Sequence, residues 1–555
     1  MEHPPDTPPL PRRPWRAIEE RLRAWGGVAA ASRGEIALVA AITMLAAVLR
    51  LWRLGTVPLG LHGDEALTGI DALRVLREGW IGPYVESALG QPAGPLYVVA
   101  PLLKILPDTT WTLRFSMALF GIATIPASYA AFSTMFDRRT GVFAALLLAV
   151  MTWHLHLGRT GFMVTAWPLL QVLALWALFA AIQRRNVWLM GVAGVVTGVG
   201  IYTYNAYLLF LPVAGVALLW HYRSGGGRGQ PGFAAGVVLF VCAAALVAVP
   251  MARYIDEHWE IYREHQRIVG VTDAPEWQEE SWAGRADILA DRTREWVRGL
   301  TVGGRSDFGD GLATQGHPVV DPITMLLAAC GVLMALWRWR SPAHATLLAA
   351  AVILPLGAVL TTGDGLFRRT FGLAPIIAAL GALPLSVWWE SAMRRPERLR
   401  YASMAAMGLV LVYAGGRNIY DYFGPVQDTF EMRYVYPYEM DAASGYLAKV
   451  PRETVVYFYS DRWSVDYETR QYLAPDIGDR VDRSPEFRGV PFEITDEPTD
   501  YGIDRSRDAA LVLMGAYLED FDLIAERYPG GTLVEESRRG ELLYRAYFLP
   551  ASEGR

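Results

Sequence analysis

Lysine is nearly absent from this chain: Lys104 and Lys449 are the only two, against 49 arginines in 555 residues. Cysteine is as scarce. Cys242 and Cys330 both lie in apolar runs, which excludes a disulfide framework or a Cys-x-x-Cys metal cluster and predicts two buried free thiols. Charged residues make up 19%, below the quarter usual for a soluble globular protein. The net charge of -5 gives no reason to expect a nucleic-acid partner. No phosphate-binding loop or dinucleotide glycine fingerprint follows a strand, and SGGGRG (224–229) reads as a loop between apolar runs. Internal repeats are missing too, which speaks against an inverted-repeat transporter.

What is abundant is apolar sequence. Hydrophobic residues reach 52% and aromatics 12%, in runs of about 20 residues that mark a polytopic helical membrane protein. Runs at 35–53, 112–135, 141–157, 163–183, 187–204, 206–221, 232–251, 321–337, 343–361, 370–389 and 402–416 predict eleven spans. A further run, PAGPLYVVAPLLKIL (92–106), is either re-entrant or a true span. The Pro-rich start, MEHPPDTPPLPRRPW, lacks the layout of a cleaved secretory signal and reads as a cytoplasmic tail, residues 1–34.

Arginine placement decides the sidedness. With the N-terminus inside and 92–106 not crossing, the inside loops hold twelve arginines against three acids, as the positive-inside rule requires. The long loop 252–320 then falls outside, with thirteen acidic and eight basic residues. The expected architecture is mainly α: a transmembrane helix bundle over 35–416, with outer loops 54–110 and 252–320. Residues 417–555 follow as an extracytoplasmic α/β domain. In that domain MDAASGYLAKV and EDFDLIAERY read as helices, and ETVVYFYS, DAALVLM and ELLYRAYFLP as strands.

The first outer loop holds LHGDEALTGIDALRVL (61–76), a one-faced helix with Leu67, Ile70, Leu73 and Leu76 in register. Asp64 sits where an N-cap belongs and Glu65 in the first turn, so capping and dipole complementation account for both. A cap also fixes a carboxylate in place, and the same side of the membrane collects other polar sequence. HLHLGRTGF (154–162) offers His154, His156 and Arg159; IYTYNAY (201–207) offers Tyr202, Tyr204 and Asn205. GDGLFRRTFGLAP (363–375) offers Asp364, Arg368 and Arg369. Ionisable groups at membrane depth are costly and usually functional. Bland readings stand beside these: interfacial histidines bonded to backbone, belt tyrosines, and arginines snorkelling to head groups. No third ligand has zinc-like spacing to the histidines. The loop 252–320, with Trp259, Trp277, Trp282 and Trp296, either covers a site or is a solvated loop.

With GDEA (63–66), the PLY run (95–97), WTLRFSMALFGIATIPASYAAFSTMFDRRTG (111–141), HLHLGRTGF and FRRTFGLAP in that order, residues 35–390 resemble the C-type glycosyltransferases. Within these, they resemble the dolichyl-phosphate-mannose protein mannosyltransferases and their bacterial relatives, the lipid A aminoarabinose transferases. The resemblance implies inverting transfer of a sugar from a polyprenyl-phosphate carrier to a hydroxyl on a protein, lipid or glycan at the outer face of the plasma membrane. It also implies Asp64 as catalytic carboxylate with Glu65 as its acidic neighbour, and Arg159, Arg368 and Arg369 as contacts to the donor phosphate. His62, His154, His156, Tyr202 and Tyr204 are the candidate substrate contacts. A phosphate leaving group needs no general acid, so one carboxylate suffices as base, and arginines stabilise the departing anion. No cofactor is implied with certainty, and a divalent metal is left open. The alternatives are a transporter or lipid-sugar flippase, and a non-catalytic glycan-assembly protein.

Overall fold

The computed structural model describes residues 32–304, 310–314, 316–363, 365–484 and 502–552. The expected cytoplasmic tail (1–31 of it) and Asp364 lie outside them. Twenty-two helices follow in chain order. The first group is α1 (Arg33–Leu51), α2 (Gly63–Glu78), α3 (Leu96–Ile105), α4 (Thr110–Met135), α5 (Arg138–Val150), α6 (Thr152–Leu157), α7 (Ala166–Arg184) and α8 (Val187–Gly200). Next come α9 (Phe210–Arg223), α10 (Phe233–Glu257), α11 (Trp259–Val269), α12 (Pro275–Glu279), α13 (Trp282–Thr301), α14 (Pro322–Trp337) and α15 (Pro342–Ile353). The last are α16 (Leu356–Val359), α17 (Leu373–Met393), α18 (Glu397–Phe423), α19 (Phe430–Val435), α20 (Tyr438–Leu447), α21 (Glu468–Leu473) and α22 (Phe521–Arg527).

Among the described residues, eight helical stretches are long and apolar enough to cross a membrane by length and composition. They are Arg33–Leu51, Thr110–Met135, Met163–Arg184, Asn205–Arg223, Phe233–Glu257, Pro342–Val359, Leu373–Met393 and Glu397–Asp428. The other three runs fold as shorter pieces: α8, α14, and α5 followed by α6 with a break at Met151, whose extended backbone ends α5. The ambiguous run 92–106 yields only the ten-residue α3. At about 1.5 Å per residue it reaches about half of a ~30 Å hydrocarbon layer.

Cys242 and Cys330 are exposed rather than buried. Each sits on an apolar helix (α10 and α14), where an outward position faces hydrocarbon instead of water, so apolar sequence did not imply burial.

Helices in hydrocarbon gain little from burying one another and pack where small residues let backbones approach. Gly331 of α14 meets α17 in this way: a Cβ there would stand 2.0 Å from the Leu380 carbonyl oxygen.

The C-terminal segment carries a five-stranded mixed sheet. Its strands are β3 (Val455–Tyr459), β4 (Arg480–Asp482), β5 (Ala509–Leu513), β6 (Thr532–Arg538) and β7 (Glu541–Leu549), in the order β4-β3-β5-β7-β6. A two-stranded hairpin, β1 (Tyr84–Val85) and β2 (Gln91–Pro92), precedes it in the chain. β3 runs parallel to β4 and β5, while β7 is antiparallel to β5 and β6. All residues of β3 (VVYFY) and β5 (AALVL) are buried, the continuous apolar pattern of strands covered on both faces. β6 (TLVEESR) is an edge strand with a mostly exposed, charged pattern, and the sequence carries no comparable apolar signal for it.

The Gly331 contact leads to a prediction. Gly331→Val should separate α14 from α17 and destabilise the protein by about 1–3 kcal/mol, the usual range for overpacking. The check is a lower melting temperature of the detergent-purified protein, with Gly408→Val, where nothing lies within 4 Å of a Cβ, as the neutral control.

Candidate active site

The site begins with the cap of α2. His62, not Asp64, is the N-cap: its Nδ1 accepts the Asp64 N–H at 2.9 Å. Glu65 Oε2 accepts the His62 N–H in return at 3.1 Å, a capping box with histidine in the serine position. To accept there, the imidazole must be neutral with its proton on Nε2. Burial lowers the His62 pKa, against the pull of the nearby Asp64 carboxylate.

Asp64 and Glu65 then part company. Glu65 is fully buried and paired with Arg114 of α4, with Nη2 to Oε2 at 2.9 Å and Nε to Oε1 at 3.1 Å. Oε1 also accepts the Gly161 N–H at 2.5 Å. Arg114 spends its remaining donors on the carbonyls of Leu54 (3.3 Å), Pro58 (2.8 Å) and Gly60 (2.5 Å). Glu65 is thus engaged at both oxygens and does not line the cavity beside it.

Asp64, one residue earlier and about 100° around the helix, faces that cavity. Its Oδ2 accepts from Arg368 Nη1 at 2.5 Å. Arg368 Nε is 2.5 Å from Asp310 Oδ1, its backbone N–H donates to Asp310 Oδ2 at 2.9 Å, and its guanidinium stands 4.5 Å from the centre of the Phe162 ring. Burial alone would raise the Asp64 pKa; Arg368 and His62 outweigh it, so the carboxyl lies below its ordinary value.

The cavity, about 150 Å³, is lined from six places in the chain. Asp64 and Thr68 come from α2, Ala88 to Gln91 from the β1–β2 turn, and Phe162 to Val164 from the segment after α6. Tyr204 and Asn205 follow α8, while Arg368 and Arg369 precede α17. His265 and Val269 close it from α11, His265 with Nδ1 2.8 Å from the Leu89 carbonyl oxygen. Burial lowers the His265 pKa. Arg369 Nη1 donates to Thr361 Oγ1 (3.0 Å) and the Thr362 carbonyl (2.7 Å). Ala88, Leu89 and Gly90 all have positive φ (51°, 64° and 96°). Two side-chain-bearing residues in the left-handed region are a strained arrangement of the kind concentrated at ligand-binding walls.

Of the residues singled out in the sequence, Asp64, Arg368, Arg369, Tyr204 and Asn205 meet at this cavity. Arg159 does not. It is buried beside Phe423 (4.8 Å to the ring centre) and donates to the carbonyls of Leu49 (2.5 Å), Arg50 (3.0 Å), Trp52 (2.8 Å) and Val57 (3.0 Å). Those donors are taken up by carbonyls at the C-terminal end of α1 and in the loop that follows it. His154 bonds the buried Arg50 (2.7 Å), and His156 bonds Tyr436 (3.0 Å) and Tyr422 (3.4 Å). Tyr202 donates to the Val247 carbonyl at 2.6 Å, away from the cavity. Arg114, Asp310 and His265 went unnoticed in the sequence. An arginine inside an apolar span was a readable signal for the first; the other two sit in ordinary polar sequence.

Among the described residues no group of three or more His, Cys, Asp or Glu is arranged to hold a metal ion. The two carboxylates that share the site, Asp64 and Asp310, already share Arg368. With its guanidinium in that position the donor set does not fit a dication.

The apolar bundle with its C-terminal sheet shares its fold with solved membrane transferases. Residues 90–248 match the family model for dolichyl-phosphate-mannose-protein mannosyltransferase. No curated protein matches the chain. Among solved structures, the oligosaccharyltransferase AglB from Archaeoglobus fulgidus, in complex with an inhibitory peptide and a dolichol-phosphate, is 14% identical with a TM-score of 0.55. That match covers 92% of this chain and 74% of AglB. ArnT from Cupriavidus metallidurans bound to undecaprenyl phosphate is 15% identical with a TM-score of 0.54, covering 94% of this chain and 99% of ArnT. At these identities the likeness shows the fold.

The buried pair supplies the next prediction. Removing one partner leaves an uncompensated buried charge, so Arg114→Met should cost about 3–5 kcal/mol. Pairing it with Glu65→Gln should recover part of that loss. Thermal unfolding of the single and double variants checks it; equal losses in both would show that the charge of Glu65 is not what Arg114 compensates.

Proposed function

We propose that the protein is an integral-membrane, inverting glycosyltransferase, with a polyprenyl-phosphate-linked sugar as donor and a hydroxyl on a protein, lipid or glycan as acceptor. The observation that carries this reading is the meeting of Asp64 with Arg368 and Arg369 at one cavity. A base and two cations stand there, and among the described residues Asp64 is the one carboxylate that lines the cavity, which suits glycosyl transfer from a phosphate better than glycoside hydrolysis. The solved relatives that share the fold were determined with a dolichol-phosphate and with undecaprenyl phosphate, which supports a lipid-linked donor.

In the proposed reaction the acceptor oxygen attacks the anomeric carbon as Asp64 takes its proton. The bond from that carbon to the phosphate oxygen breaks, and the phosphate leaves with the electron pair. Arg369, whose other contacts are neutral acceptors, and Arg368 stabilise the added charge. Glu65 acts as a positioning residue that holds α2. The lowered Asp64 pKa keeps the base ionised at neutral pH. With eleven crossings, a cytoplasmic N-terminus and an extracytoplasmic domain over 417–555, the chemistry would lie on the outer face of the plasma membrane, a topology that the arginine bias of the loops supports.

Asp64→Asn should lower transfer by about 10²–10⁴-fold while leaving membrane insertion and the melting temperature near wild type. The assay is transfer of labelled sugar from polyprenyl-phosphate donors into native membranes, with mass analysis of the product; an active Asp64→Asn enzyme overturns the mechanism. Arg369→Ala should reduce the rate about 10²–10³-fold by removing a charge that acts on the leaving group. Because the Asp64 pKa is depressed, wild-type activity should stay level down to the ordinary carboxylate value of about 3.9 and fall only below it. An acid limb centred above pH 5 would assign the base to another group.

A further inference from the structure

The C-terminal segment holds a second cavity, about 460 Å³, between α19, α20 and the strand ends of the sheet. Its rim exposes two rings, Phe430 (66% exposed) and Tyr434 (42%). Behind them Arg462 lies between aromatic faces, 3.7 Å from the centre of the Tyr434 ring and 4.2 Å from that of Trp463. Glu439 holds this stack, accepting from Trp463 Nε1 at 2.8 Å and from Arg462 Nη1 at 3.3 Å. Across the cavity Glu541 accepts from Arg433 Nη1 at 3.3 Å and from the Tyr438 hydroxyl. Asp461 accepts the Ala516 N–H at 3.1 Å, a contact open only because residue 515 is a glycine with φ +60°.

The chemistry of the lining is selective. Two guanidiniums and three carboxylates (Glu439, Asp461 and Glu541) leave no positive excess, so a phosphate or other anion has nothing to favour it there. A wholly apolar ligand would strip water from paired charges without replacing their hydrogen bonds. What the lining offers is exposed ring surface beside alternating donors and acceptors, within the usual volume range for small-molecule pockets of about 300–1,000 Å³. A pyranose or furanose ring suits that combination. Its C–H face lies on an aromatic ring, and its adjacent hydroxyls donate to a carboxylate and accept from a guanidinium.

The cavity is also tied to the catalytic end of α2. Trp463 packs on Tyr467 (ring centres 4.4 Å apart), whose hydroxyl would be 2.9 Å from a Cβ at Gly63. Tyr438 follows Pro437, whose backbone presses against Gly60.

We propose that this cavity is a binding site for a neutral saccharide unit, separate from the donor cavity at Asp64. Given the transfer reaction proposed above, on which this part rests, the occupant is a glycosyl unit of the acceptor, and the acceptor is itself a glycan or glycoconjugate.

The test is saturation-transfer-difference NMR on the full chain in a sugar-free detergent, with methyl α-mannopyranoside, methyl β-glucopyranoside and methyl α-arabinofuranoside as probes. At least one should give ring-proton signals with wild-type protein and equally with Asp64→Asn. Phe430→Ala and Glu541→Gln, each at an exposed position and checked for an unchanged melting temperature, should weaken that probe at least tenfold. Absence of binding by a wild-type protein that transfers sugar overturns this site and leaves the reaction standing. Signals lost in Asp64→Asn but kept in Phe430→Ala also overturn it, by placing the sugar in the donor cavity. Saccharide binding by a protein that transfers nothing supports the site and removes its link to the acceptor.

Discussion

The Glu65–Arg114 pair is the constraint on which the rest of the candidate site depends. Two charges removed from water are a liability unless every donor and acceptor finds a partner, and here they do so within one compact knot. Arg114 gathers the carbonyls of Leu54, Pro58 and Gly60 while holding both oxygens of Glu65. Glu65 adds the N–H groups of His62 and Gly161. One side-chain pair therefore joins the chain leaving α1, the start of α2, the middle span α4 and the turn after α6. Because α2 cannot rotate without breaking this knot, the direction of Asp64 is set by its neighbour.

The division of labour between two adjacent carboxylates follows from where each one's countercharge comes from. Arg114 belongs to the same buried layer as Glu65 and has no spare donor, so that pair is closed. Arg368 comes from a loop at the cavity wall and is shared between Asp64 and Asp310. A shared guanidinium has alternatives: in the proposed reaction a phosphate oxygen entering the cavity would take one of its donors while Asp310 retains another. Asp64 would then be released toward an acceptor at the moment a donor binds. Arg159 shows the contrasting use of the same residue type, with four bonds to neutral carbonyls at the end of α1 and in the loop beyond it. Arginine's planar fork suits both tasks, which is why residue type alone did not separate them.

Legibility of the sequence tracked the range of the interactions involved. Apolar runs located the long helices, and the strands VVYFY and AALVL were readable because both faces are buried. The cap was misread by two residues, since histidine rarely serves as N-cap and the serine-like use of its Nδ1 has no pattern in the sequence. GDEA, RTGF and FRRTFG pointed to the right neighbourhood. Which side chain of each reaches the cavity depends on contacts spanning, in the case of Asp64 and Arg368, 304 residues. Asp310 and His265 come from the acidic loop 252–320, where nothing local distinguishes them from solvated neighbours. His154 and His156 stood out as polar groups at membrane depth; the partners they find there are Arg50 and Tyr436.

The C-terminal segment is more than an appendage to this site, because it supplies part of the scaffold on which α2 rests. Thr469 Oγ1 donates to the Leu61 carbonyl at 2.7 Å, and the Tyr472 ring occupies the space a Cβ at Gly69 would need. The Tyr436 ring packs edge-on against His62, with centroids 5.8 Å apart. These contacts hold the far side of α2, while Arg114 holds its near side. Asp64 is therefore clamped between an element of the bundle and an element of the sheet segment. In the proposed reaction, a base held in this way is fixed by both the bundle and the sheet segment. The small residues at 63 and 69 make that double contact sterically feasible, so the geometry of the base was written partly in glycines that carry no chemistry of their own.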